Sequence, residues 1–123
     1  MDTQTTSETR YVVFVVEDEE AWEAKSAGER DEAYRADERF RAALERRGGK
    51  IVVGAELAPS RTWHVLEHRG GLTRRTEGPY AESVEQLGGF YVVDTPDLEA
   101  LLDACDEMAA AHVRLEVAST PAG

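Results

Sequence analysis

An unbroken apolar run at residues 11–16, YVVFVV, opens the patterned part of the chain after a polar stretch over residues 1–9 that has no periodicity. A continuous β-branched and aromatic run of this length predicts a buried strand. Residues 17–28 are acidic and irregular, with Trp22 as the anchor of a helical turn. From residue 29 to residue 47 the apolar spacing becomes three and four, and Ala33, Ala36, Phe40, Ala43 and Leu44 share one face of a predicted helix. Gly48-Gly49 stops that helix, as a C-terminal cap would. Strands are predicted at residues 50–57 and 61–68, separated by Ala58-Pro59-Ser60, and Gly70-Gly71 turns the chain into a short strand at 72–76. Residues 89–94 form a further core strand. Thr95-Pro96 then announces a helix, with Thr95 as N-cap and Pro96 at the first helical position. Leu98, Leu101, Leu102, Cys105, Met108 and Ala109 give that helix an apolar stripe, and a final strand is expected at 113–117.

The resulting order, β-α-β-β-(β)-β-α-β, predicts an α+β fold. It is the split βαβ, ferredoxin-like arrangement, with two helices on one face of an antiparallel sheet. The continuously apolar strands imply burial on both sheet faces, which a single copy does not provide. Dimerisation through the open face resolves this, so a homodimer is expected. Residues 10–118 form the domain, 1–9 a flexible leader and 119–123 a tail.

Composition narrows the function classes. A chain of 123 residues suits one domain, and its formal net charge is 14 − 25 = −11. Such a surface repels phosphate backbones, so no nucleic-acid partner is expected. The lone cysteine, Cys105, allows no intramolecular disulfide and suits a reducing cytoplasm. No run of about 18 apolar residues is present and the N-terminus lacks an apolar signal core, so no membrane partner is expected.

The densest cluster of turn formers and acids is residues 76–94, TEGPYAESVEQLGGFYVVD. Gly78-Pro79 forces a turn, and a polar loop at 81–86 follows between rigid flanks, where binding and catalytic residues tend to sit. This segment resembles the signature of the YCII-related family, in the branch named for its Asp-Gly-Pro-Phe motif. The motif reads Glu77-Gly78-Pro79-Tyr80 here, with Glu in place of the leading Asp, and continues through Glu85-Gln86-Leu87-Gly88-Gly89-Phe90-Tyr91. The likeness extends over roughly residues 10–118, including YVVFVVEDEEAW and FRAALERRGGKIVVGAELAPS. It implies a dimeric α+β barrel, and it places Asp37 at a helix position that in the family often holds a pocket-facing His.

Asp37 is the first candidate for chemistry. It falls on the apolar stripe of the first long helix, where a carboxylate needs a partner or a wet cavity. The plainer alternative is an ion pair with Arg41, four residues on. Glu77, beside a rigid turn, is the second candidate for proton transfer, provided that burial raises its pKa. Tyr80, Glu82, Gln86, His64 and Arg74 are candidate ligand contacts around the same loop, against the alternative of a solvated, ion-paired surface. Asp37 and Glu77 are expected to share one cavity. His64 and His68 fall on a predicted strand, where four residues span about 13 Å, too far for one metal ion. Cys105 is expected to be inert core, and His112 to interact with a helix C-terminus.

These features predict a small homodimer whose polar, acidic pocket holds a small organic molecule and supports acid–base chemistry. No metal, nucleotide or other cofactor is expected. The alternative is a non-catalytic ligand-binding or regulatory module; the resemblance implies an association with an extracytoplasmic-function sigma factor for proteins of that kind.

Overall fold

A computed structural model of the chain describes residues 8–78 and 85–121. Strand β1 (Thr9–Asp18) leads into a short helix α1 (Glu19–Ala24), then a long helix α2 (Ala27–Arg46). Both helix starts are capped by side chains. Asp18 accepts from the Ala21 amide at 3.0 Å. Ser26 and Glu29 form a reciprocal capping box, with Ser26 Oγ accepting from the Glu29 amide at 3.1 Å and Glu29 Oε1 from the Ser26 amide at 2.8 Å. Helix α2 ends as its glycines predict. Gly48, at φ 88°, donates to Glu45 O at 3.2 Å, and Gly49 donates to Leu44 O at 3.1 Å. That pairing is a Schellman motif, which only a residue tolerant of positive φ closes without strain.

Strands β2 (Lys50–Glu56), β5 (Glu85–Thr95) and β6 (Arg114–Ser119) join β1 in an antiparallel sheet of order β2-β5-β1-β6. Helix α3 (Leu98–Ala109) precedes β6. The α+β fold is therefore the expected one, with the strand order of a ferredoxin-like sheet. Helices α2 and α3 pack on one face over a core of Val13, Val15, Phe40, Leu44, Val93, Leu101 and Met108. The face turned away from them carries Val12, Phe14, Phe90 and Val92, which alternate with the core positions along β1 and β5. On β2 that face continues with Val53, which is 48% exposed.

Several element boundaries differ from the sequence reading: α2 starts at Ala27 rather than residue 29, and β5 starts at Glu85 rather than residue 89, so Glu85 and Gln86 of the predicted loop belong to the strand. Thr95 is the buried last residue of β5 and its hydroxyl engages the Asp97 backbone, so the helix starts two residues later, with Asp97 as N-cap accepting from Glu99 N at 3.0 Å. The predicted strand at 61–68 is split. Ser60–Thr62 make a single 3₁₀ turn, because Ser60 is held by Glu19, and β3 begins at His64. Among the described residues strands β3 (His64–Arg69) and β4 (Leu72–Glu77) pair only with each other, forming a hairpin separate from the main sheet. Among the described residues no helix is long and apolar enough to cross a membrane.

Candidate functional site

Helix α2 carries two stripes side by side. Ala33, Ala36, Phe40 and Leu44 face the core. Arg30, Tyr34, Asp37 and Arg41 follow a spacing of four, three and four, and all four line a cavity of about 640 Å³. Helix α1 contributes Glu19, Trp22 and Glu23 to the wall. Strand β2 and its continuation contribute residues 54–59, and β5 contributes residues 88–91. His112, in the turn between α3 and β6, completes it.

At the inner wall four polar side chains form one chain of hydrogen bonds. Tyr91 Oη donates to Asp37 Oδ2 at 2.7 Å. His112 Nε2 lies 2.9 Å from Asp37 Oδ1, and His112 Nδ1 lies 2.5 Å from Glu17 Oε2. The imidazole is only 5% exposed, against 13% for Glu17 and 22% for Asp37. Burial works against a charge on His112, but hydrogen bonds and attraction from Asp37 and Glu17 outweigh it and push its pKa up to about 9. At neutral pH the ring is therefore a cation donating from both nitrogens. Burial, and then the bond to Asp37, hold the Tyr91 proton well above the usual phenol range.

The backbone makes room for this arrangement at two glycines. Gly54 pairs opposite Tyr91, and a Cβ there would stand 2.5 Å from the tyrosine ring. Gly88 is the extra residue of a bulge in β5, and a Cβ on it would stand 2.4 Å from Glu17 Cγ. A glycine within a strand often marks such a close approach. The outer wall is also engaged. Glu19 accepts from Ser60 N and Oγ, and Glu23 pairs with Arg61 at 2.7 Å. Glu56 accepts from Tyr34 Oη at 3.1 and 3.2 Å. The Arg30 guanidinium lies 5.5 Å from the Trp22 ring centroid and donates to the Trp22 and Glu23 carbonyls. Among the described residues no cluster of three or more His, Cys, Asp or Glu is arranged to hold a metal ion.

Asp37 therefore lies in a cavity wall, and its partners are Tyr91 and His112 rather than Arg41. Glu77 does not join it. It sits at the exposed end of the β3–β4 hairpin opposite His64, and neither residue belongs to the cavity wall. The shared cavity expected for Asp37 and Glu77 is thus not formed, because the hairpin pairs with itself and is closed at its base by Gly78 N donating to Trp63 O at 2.8 Å. Arg74 lies opposite Glu67 on the same hairpin, and Gln86 lies opposite Glu17 on β5; neither is in the wall. Tyr80 and Glu82 fall outside the described residues. His112 is not a simple helix-end contact but the centre of the network. Its partners, Glu17 and Asp37, are 95 and 75 residues away, a separation that no local pattern encodes.

Comparison with known proteins adds two findings. An uncharacterised protein of Rhizobium meliloti (strain 1021), R00369, is 38% identical over 64 residues, which cover 52% of this chain and 52% of that protein. The chain thus spans about half the length of this curated relative. The family model of the YCII-related domain matches residues 9–115, nearly the whole of the β1-to-β6 fold, and the chain belongs to that family.

Proposed function

We propose that the cavity binds a small organic molecule and transfers a proton on it, with Asp37 as the group that handles the proton. The observation that carries this reading is the position of Asp37, between the Tyr91 hydroxyl and the His112 cation on the wall of a cavity of ligand size. A carboxylate so held is fixed in orientation. The Tyr91 hydroxyl and the His112 cation give their protons to Asp37 and Glu17, so what His112 offers a ligand is its positive charge, which stabilises negative charge that develops nearby. Because His112 is protonated up to about pH 9, it is an acid or an electrostatic partner at neutral pH, not a base. Glu77 has no part in this proposal, since it lies outside the wall.

The test is exchange of carbon-bound protons in D2O, followed by proton NMR over a panel of small carbonyl compounds. Exchange is expected with the wild type and should fall at least about 100-fold in Asp37→Asn, the lower end of what a positioned acid or base contributes. Absence of exchange across the panel would leave the second reading, a binding or regulatory module. That reading is favoured by one feature: both oxygens of Asp37 and both nitrogens of His112 already have partners within the protein. Association with an extracytoplasmic-function sigma factor belongs to this alternative.

We also propose that two copies pair through the sheet face that carries Val12, Phe14, Val53, Phe90 and Val92. An apolar face of this kind is rarely left open on a monomer. Light scattering at micromolar concentration should give twice the 13.6 kDa chain mass; the mass of one chain would rule out this pairing. The cytoplasm is the proposed compartment. Cys105 suits it, a buried thiol whose pKa burial pushes up to about 11 and which is therefore unreactive.

A further inference from the structure

We infer that the ligand of this cavity carries a carboxylate, and that Arg41 is its anchor. The inference rests on the reading of the cavity as the functional site, and it concerns what binds there, not what happens afterwards. Counted by charge alone, the wall favours a cation, because Glu17, Glu19, Glu23, Asp37 and Glu56 stand against Arg30, Arg41 and a protonated His112. The bonds already made point the other way. Every one of the five carboxylates accepts at least one hydrogen bond from within the protein, from His112, Ser60, Arg61, Tyr91 or Tyr34. His112 uses both nitrogens, and Arg30 donates to two carbonyls. Arg41 alone among the charged residues of the wall has no hydrogen bond or ion pair among the described residues.

Its position makes that meaningful. Arg41 is one helical turn beyond Asp37 on the same stripe of α2, so an i,i+4 ion pair was available to it. Asp37 instead gives one oxygen to Tyr91 and the other to His112, and the guanidinium is left with five donors in a planar fork at the cavity's edge. A carboxylate fits that fork bidentately. Trp22, Tyr34 and Tyr91 supply aromatic surface to the same wall. The surrounding carboxylates repel a dianion, which favours a ligand with a single carboxylate on an apolar or aromatic body.

Three probes of equal size separate the possibilities: 3-phenylpropanoate, 3-phenylpropanamide and 3-phenylpropylamine, each titrated calorimetrically into the full chain at pH 7. The carboxylate is expected to bind roughly 10- to 100-fold more tightly than the amide, the usual value of a charge-assisted hydrogen-bonded pair. Arg41→Gln should erase that preference while leaving thermal unfolding unchanged, because an exposed side chain is removed. Arg41→Lys, which keeps the charge but not the fork, should restore only part of it. The inference is overturned if the amine binds best, which would assign the ligand to Glu56. It is equally overturned if the three probes bind alike, if none binds, or if the preference survives in Arg41→Gln. Binding of the carboxylate without any proton exchange would remove only the catalytic reading. Exchange on neutral carbonyl compounds by a site indifferent to the carboxylate would remove only this inference.

Discussion

Replacement of His112 by alanine is expected to destabilise the fold by about 3–5 kcal/mol at pH 7, because it leaves two carboxylates at a buried wall without the cation between them. In the wild type the imidazole lies 2.5 Å from Glu17 and 2.9 Å from Asp37, and it is almost wholly enclosed. Its pKa rises on folding from 6.5 to about 9. Both forms of the chain bind the proton below pH 6.5, and there the His112 contribution is complete. Above that pH the unfolded chain releases its proton while the folded one keeps it, so stability falls as pH rises toward 9, by about 3 kcal/mol in all. Urea unfolding at pH 6, 7.5 and 9 should show this decline in the wild type and not in His112→Ala. A loss of under about 1 kcal/mol at pH 7 would mean that water screens the network.

Phe40→Ala is the second large effect expected, at about 3–5 kcal/mol in denaturant unfolding. Phe40 is 0% exposed, and its ring centroid lies 5.2 Å from that of Tyr91 at a tilt of 46°. The change opens a cavity between α2 and the sheet and removes the surface against which the tyrosine ring rests. It should therefore cost more than Tyr91→Phe, which deletes only the hydroxyl bonded to Asp37. A second consequence separates the two. In Phe40→Ala the His112 titration, followed by NMR, should move down from about 9 as the loosened tyrosine admits water to Asp37. A stability change below about 1 kcal/mol would show that α2 can settle onto the sheet without this ring.

The architecture was legible because its signals are local. Six apolar residues in a row gave β1, three-and-four spacing gave α2 and α3, and Gly48-Gly49 marked a helix end that proves to be a Schellman cap. The capping box at Ser26 and Glu29 was equally open to reading and would have placed the start of α2. The α3 start was misplaced because Thr95, Pro96 and Asp97 are all plausible first-turn residues, and only the burial of Thr95 in the sheet decides among them. Of the site, Asp37 was visible as a charge close to an apolar stripe. Tyr91 was hidden in a strand that reads as pure core, and Glu17 in an acidic stretch that reads as surface. The turn motif drew attention to Glu77, but whether a hairpin folds back onto a helix is a tertiary matter on which Gly78-Pro79 is silent.

The two stripes on α2 make its rotation about its own axis a functional coordinate. Successive residues differ by about 100°, and the core stripe and the cavity stripe are offset by a single position at residues 33 and 34, 36 and 37, and 40 and 41. A roll of that size would drive Asp37 and Arg41 toward the core and turn Phe40 and Leu44 outward. The capping box at one end and the glycine motif at the other act as detents against it, each fixing where the chain enters or leaves the cylinder. Inserting or deleting one residue within α2 would misalign everything on one side of the change, even where helix propensity stayed the same. Substitutions at residues 30, 34 and 41 leave the core stripe untouched. Under the function proposed above, ligand preference is thus free to diverge by point change while the helix length stays fixed.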